Sequence, residues 1–95
     1  MAGNIAMISV ELAQAVLGKA TEQGVARAAG FTEVPVTKTD LKRLSNDCRV
    51  AGERLVAKGV SDEARSKGLR CAAYAKIFEQ LAEGNEGYAR KTLEI

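Results

Sequence analysis

Few side chains in this sequence could carry out chemistry, and histidine is absent altogether. Histidine is the most frequent general base and a common metal ligand, so the serines have no imidazole to activate them. The two cysteines, Cys48 and Cys71, are too few to build a four-ligand zinc site without histidine. These absences predict that the chain has no catalytic residues and binds no metal ion.

The glycines and acidic pairs match no cofactor-binding motif. Gly18, Gly24 and Gly30 are spaced by six residues and follow no predicted strand, so they fit neither phosphate-binding fingerprint. The pair Asp62 and Glu63 stands at a predicted helix start, where carboxylates interact favourably with the helix dipole. We therefore predict no enzyme and no cofactor.

Cys48 and Cys71 lie at equal distances from a predicted turn, which would place them at the same height on facing helices. We interpret them as two buried thiols that act as small hydrophobic side chains in a reducing cytoplasm. The alternative is a disulfide or a redox switch.

The composition predicts one small domain. The chain has 95 residues, of which 46% are apolar and 27% charged. Alanine dominates the apolar share, with two Phe, two Tyr and no Trp, so helices must pack through small side chains. Such a core favours support from another protein or from a second copy of the chain.

The charge and hydropathy patterns bear on partners and location. With 14 Lys and Arg against 12 Asp and Glu, the net charge of +2 lacks the footprint of a strong nucleic-acid binder. The N-terminus lacks the basic region of a secretory signal, and no apolar run approaches the roughly 18 residues of a membrane span. We expect no membrane association and a cytoplasmic location, in the host cytoplasm if the protein is viral.

Hydrophobic periodicity predicts an all-α fold, a small bundle of three main helices in one domain spanning residues 1–95. The first helix is predicted from about Ile5 or Ser9 to Ala29, with a break between Gly18 and Gly24. One face of it carries the apolar residues spaced by three and four. They are Ile5, Ile8, Leu12, Val16 and Ala20.

The second and third helices are predicted over residues 40–58 and 61–83, with a tail over 85–95. Thr39 or Asp40 would cap the second helix, Gly59 would end it, and Ser61 would cap the third. So short a connection predicts an antiparallel αα-hairpin. The second helix has its own core stripe, which consists of Leu41, Leu44, Cys48, Ala51 or Gly52, and Leu55. The tail is either a short helix or an extended segment, anchored by Leu93 and Ile95.

The third helix is apolar around most of its girth. One stripe consists of Leu69, Ala73, Ile77 and Leu81. A flank beside it consists of Cys71, Tyr74, Ala75, Phe78 and Ala82. One interpretation is that this helix is the centre of a three-helix bundle, and the other is that Tyr74 and Phe78 stay exposed and bind a partner or a second copy. The two interpretations are compatible if the domain forms an oligomer.

The second helix carries charges on two sides. Arg43, Asp47, Arg54 and Lys58 share one side, and Lys42, Arg49 and Glu53 share the other. Together with Lys38 they make the helix mildly basic. The face is either simply solvated or a surface for an acidic protein or a nucleic-acid backbone.

The stretch Val25–Thr32 resembles the first helix and turn of a helix-turn-helix motif. Such motifs place Ala within the first helix, Gly in the turn four residues later and an apolar residue after it, as Ala26, Gly30 and Phe31 do here. By this resemblance a recognition helix starts near Val36 or Thr37. The resemblance implies that Lys38, Lys42 and Arg43 face the DNA, and Arg49 on the same basic helix is a further nucleic-acid-binding candidate.

Our leading hypothesis is a non-enzymatic, protein-binding module that acts as a small regulator, adaptor or inhibitor through its helix faces, alone or as an oligomer. Its partner-binding candidates are Tyr74, Phe78, Arg43 and Arg54. One alternative is a small helix-turn-helix-like DNA-binding regulator, and a second is a structural or assembly component.

Overall fold

A computed structural model describes residues 7–58 and 61–95 of the chain. Within these residues it contains five helices and no strand. The helices are α1 (Val10–Glu22), α2 (Val25–Ala29), α3 (Lys38–Lys58), α4 (Asp62–Ala82) and α5 (Glu86–Leu93). The predicted all-α fold is confirmed.

Helices α3 and α4 form the predicted antiparallel hairpin. Their antiparallel direction follows from two contacts: Ser45 Oγ donates to the Ala75 carbonyl oxygen at 2.6 Å, and Gly52 lies against Gly68. Helix α2 packs on both hairpin helices, α5 packs on α4, and α1 packs on α2 and α5. The three smaller helices, α1, α2 and α5, therefore cover only part of the hairpin. The molecule is elongated, with extents of 44 × 25 × 20 Å.

The predicted first helix is two helices, because Gly24 adopts a left-handed conformation with φ 77° and ends the run. The break lies at the end of the predicted window, and Gly18 stays inside α1. Ser9 caps α1 by accepting a hydrogen bond from the Leu12 amide at 3.1 Å. The predicted apolar face is buried from Ile8 to Ala20, whereas Ile5 lies outside the described residues.

Helix α3 begins two residues earlier than predicted, so Thr39 and Asp40 lie in its first turn and do not precede it. The start is set by Thr37, whose hydroxyl donates to Asp40 Oδ2 at 2.9 Å and whose carbonyl oxygen accepts from the Leu41 amide at 2.9 Å. The predicted cap at Gly59 lies outside the described residues.

The end of α4 and the following helix depend on two caps. Gly84, with φ 84°, allows the chain to turn while the Asn85 amide donates to the Gln80 carbonyl oxygen at 2.9 Å. The Asn85 side chain then accepts from the Tyr88 amide at 3.3 Å and starts α5. The tail is therefore helical. Leu93 anchors it, as predicted, but Ile95 is 40% exposed and does not.

The hairpin helices approach most closely at Gly52 and Gly68. A Cβ atom on Gly52 would lie 2.7 Å from the Gly68 carbonyl oxygen, and one on Gly68 would lie 2.9 Å from the Gly52 carbonyl oxygen. Beyond this crossing, no described residue between 53 and 67 is buried. We call residues 53–58 and 61–67 the hairpin tip, since the core ends where they begin.

The core stripe predicted for the third helix is correct at two of its four residues and wrong at the other two. Ile77 and Leu81 are buried, but Leu69 and Ala73 are exposed. The flank is buried in their place and supplies Cys71, Tyr74, Ala75, Phe78 and Ala82 to the core. The reason is that α2, α3 and α5 all pack on the flank side of α4, while nothing in the described chain covers Leu69.

Candidate binding surfaces

Tyr74 and Phe78 do not form an exposed flank. They are 2% and 0% exposed, so neither can touch a partner while the chain is folded. The Phe78 ring packs edge-on against Phe31, with 5.7 Å between ring centroids. The expectation that these two aromatics form a contact surface is therefore wrong for this chain, and α4 is the central helix of the bundle.

The Tyr74 hydroxyl is the one buried side-chain polar atom without a hydrogen-bond partner among the described residues. Burial raises the pKa of this hydroxyl to about 12, with a smaller contribution from the Glu22 carboxylate. A buried hydroxyl without a partner loses its hydrogen bonds to water and gains none in return. The unpaired hydroxyl therefore lowers the stability of the fold, although the Tyr74 ring packs beside Phe78 in the core.

We expect Tyr74→Phe to raise the free energy of unfolding by about 1 kcal/mol at neutral pH, because it removes this unpaired group. The gain should grow as pH rises from 10 towards 12. In that window the unfolded tyrosine ionises, while the folded pKa of about 12 keeps Tyr74 neutral, so the wild type loses stability. Urea unfolding at neutral and alkaline pH measures both effects. Tyr88→Phe on α5 is the control and should change little, and a clear loss of stability in Tyr74→Phe would show that the hydroxyl has a partner.

Cys48 and Cys71 are free and completely buried. Burial raises the pKa of Cys48 to about 12 and also raises that of Cys71, so both stay in the unreactive thiol form. These features agree with the interpretation as two buried thiols and give no support to a redox switch. Among residues 7–58 and 61–95 no three His, Cys, Asp or Glu side chains are placed to hold a metal ion.

The basic residues of α3 do not converge on one site. Arg43 pairs with Asp40 at 3.1 Å, and Arg49 pairs with Glu53 at 3.4 Å. Lys42 precedes Arg43 by one residue, so the two point about 100° apart around the helix. Arg54 shares the side of Arg43, as predicted from the helical spacing, but lies three turns further along. The basic candidates of α3 differ in exposure: Lys38 is half-buried, whereas Lys42, Arg43, Arg49 and Arg54 are exposed.

The segment that resembles a helix-turn-helix has a different connection. Its first helix, α2, is five residues long, and residues 30–37 separate it from α3. A helix-turn-helix joins its helices by about three or four residues. Gly30 does adopt the expected left-handed conformation, with φ 79°. An irregular segment with bends at Thr32, Glu33 and Thr37 follows, and Val34 is buried in the core before α3 starts.

An apolar groove runs between α3 and α4 on the side of the hairpin away from α2. We call it the outer groove. It has a volume of about 340 Å³. Its lining residues are Arg49, Gly52, Glu53, Val56, Ala57, Gly68, Leu69 and Ala72. Leu69 is 66% exposed and Val56 43% exposed, so apolar surface faces solvent here.

The outer groove was missed by reasoning from the sequence, because Leu69 was assigned to the core. Gly52 and Gly68 both line the groove, and because they have no side chains the two helices lie close together there. The positions of Gly52 and Gly68 in the sequence do indicate where the two helices cross. Each of these glycines falls about two turns from the predicted hairpin turn, which marks a close helix crossing.

A second apolar groove lies between α1 and the loop before α3. It has a volume of about 400 Å³, and residues 33–36 form one wall. Val10 on its rim is 65% exposed. Like the outer groove, this second groove is apolar, but it lies on a different part of the surface, so a substitution here serves as a control for one in the outer groove.

Comparison of the chain with known protein families, with curated proteins and with solved structures found no match. No helix in the described part of the chain has the length and apolar character needed to cross a membrane.

Proposed function

We propose that this protein is a non-catalytic binding module that contacts another protein through the outer groove. The observation that carries the proposal is the exposure of Leu69, a large apolar side chain, at 66% in a folded domain. Val56 and Ala72 extend the apolar surface around it. Exposed apolar patches rimmed by polar groups usually mark protein interaction sites. Here the rim includes the Arg49–Glu53 ion pair.

The roles that fit such a module are those of a small regulator, adaptor or inhibitor, since each needs a surface and no reactive group. The buried free thiols of Cys48 and Cys71 suit a reducing compartment such as the cytoplasm. Arg43 and Arg54 lie on another side of α3 and are not part of the outer groove. The proposed contact residues are therefore Leu69, Val56 and Ala72, in place of the four partner-binding candidates named from the sequence.

The proposal is tested by capture from an extract of the source cells with wild-type protein and with Leu69→Asp. We expect wild type to retain a protein partner after nuclease treatment and Leu69→Asp to lose it, because a carboxylate in the groove opposes apolar contact. Val10→Asp is the matched control. It makes the same kind of change at a residue 65% exposed on the second groove and should bind like wild type.

Two results would contradict the proposal. Equal capture by wild type and Leu69→Asp would exclude the outer groove as the contact surface. Capture that nuclease abolishes would favour the nucleic-acid alternative, whose support is weaker because Arg43 and Arg49 are already paired with carboxylates. The partner retained would then be identified and its affinity for both variants measured in solution.

A further inference from the structure

We propose that the outer groove is the contact surface of a homodimer, in which the α4 helices of two copies pack antiparallel about Ala72. This inference rests on the proposed function and names its partner as a second copy of the chain. It is carried by the spacing, the charge and the exposure of the residues along the outer side of α4.

The outer side of α4 has the spacing of a helix-pairing seam. Arg65, Ala72 and Glu79 follow one another at intervals of seven residues, with Leu69 and Lys76 between them at steps of three and four. All five are exposed. Because two helices that coil around each other repeat every 3.5 residues, this line can stay in contact with a second helix along its length.

Arg65 and Glu79 on this line are complementary between two copies only when the second helix runs in the opposite direction. Glu79 also pairs with Lys76 of its own chain at 3.6 Å, so the contact between copies shares this carboxylate. Arg65 lies seven residues before Ala72, and Glu79 lies seven residues after it. Both are therefore about 10 Å from Ala72 along the helix axis. Antiparallel packing about Ala72 places Arg65 of each copy opposite Glu79 of the other, and the twofold axis makes this ion pair twice. Parallel packing would place like charges together.

The apolar side chains fit the same arrangement. Leu69 lies one turn from Ala72, so it reaches Ala72, Ala73 and the aliphatic stem of Lys76 on the second copy. Ala72 and Ala73 are small, and both are exposed. Small side chains at the centre allow two helices to approach closely, and Leu69 then fills the space on either side of the axis.

The outer groove offers few large apolar side chains to a second copy. Its large apolar side chains are Leu69 and Val56, at 66% and 43% exposure. Standard stable interfaces bury roughly 800 Å² per partner, around a larger apolar centre than these two side chains supply. We therefore expect a reversible equilibrium between monomer and dimer rather than an obligate dimer.

Sedimentation equilibrium between about 10 µM and about 1 mM tests the dimer. Wild type should shift from monomer to dimer over this range, and Leu69→Asp should remain monomeric. Arg65→Glu should raise the dissociation constant about ten-fold, because two pairs are lost and like charges face each other. Glu79→Arg should do the same, and the double variant Arg65→Glu/Glu79→Arg should restore dimerisation.

A cross-link tests the register independently. A residue on the twofold axis faces its own copy, so Ala72→Cys should form an intermolecular disulfide under mild oxidation. Thr21→Cys, exposed on α1, is the control and should cross-link far less. Native Cys48 and Cys71 are fully buried and should not compete.

The results separate this inference from the proposed function. A wild type that is monomeric at 1 mM, or a charge swap that restores nothing, overturns the dimer. If Leu69→Asp still abolishes capture of another protein in that case, the outer groove binds a different partner and the proposed function stands. If Leu69→Asp affects neither measurement, both proposals fail.

Discussion

We expect Phe78→Asp to unfold the protein. Phe78 is 0% exposed and lies between the rings of Phe31 and Tyr74, at centroid distances of 5.7 and 6.2 Å. A carboxylate there would be buried without a partner, and the change would also remove a large ring from the core. The combined loss is about 5 kcal/mol or more, comparable with the total stability of a typical domain.

Far-UV circular dichroism and thermal unfolding measure this effect. Leu69→Asp is the matched control, since it introduces the same carboxylate on the same helix at a residue 66% exposed, and it should keep the helical signal. A folded Phe78→Asp variant would show that the Phe78 side chain faces solvent and that α4 does not bury this side in the core.

The second large effect is expected at the closest approach of α3 and α4. Gly52→Ala would place a Cβ atom 2.7 Å from the Gly68 carbonyl oxygen and 3.2 Å from the Ala72 amide nitrogen. Both neighbours are backbone atoms, so the two helices must separate to accommodate it. We expect a loss of about 1–3 kcal/mol, as overpacking typically costs, despite the better helix propensity of alanine.

Gly18→Ala is the control for this change. Gly18 also lies inside a helix, but a Cβ atom there would meet nothing within 4 Å. We therefore expect it to stabilise the protein by about 1 kcal/mol, so that the two Gly→Ala variants have opposite signs in urea unfolding. A Gly52→Ala variant as stable as wild type would mean that the hairpin helices do not pack this closely.

Much of the hairpin could be predicted because its signals are local. Ser61 accepts a hydrogen bond from the Ala64 amide at 3.1 Å, as a cap at that position should. The buried face of α3 follows the predicted spacing from Leu41 to Gly52. The exception is Leu55, which is only half-buried. Each of these features depends on residues within one helix or next to it, and periodicity reports such residues directly.

The face that α4 buries could not be predicted in the same way. Its sequence offers two apolar arcs, one through Leu69 and Ala73 and one through Tyr74 and Phe78, and helical periodicity does not distinguish them. The choice is made by tertiary packing, since α2, α3 and α5 all meet the second arc. The candidate surface was misplaced for the same reason. Leu69 was assigned to the core because the spacing of apolar residues within α4 does not tell how far the small helices extend along the hairpin.

The hairpin tip has a consequence for where the molecule can open. With no buried described residue from 53 to 67, its backbone hydrogen bonds are protected from solvent by little beyond the two helices themselves. We expect this segment to open locally at a low free-energy cost, and amides near Cys48 and Phe78 to exchange with solvent far more slowly. Val56 lies in the tip and Leu69 just beyond it. A partner docked on Val56 and Leu69 would oppose this opening, and part of its binding free energy would be offset by the entropy lost in ordering residues 53–58 and 61–67.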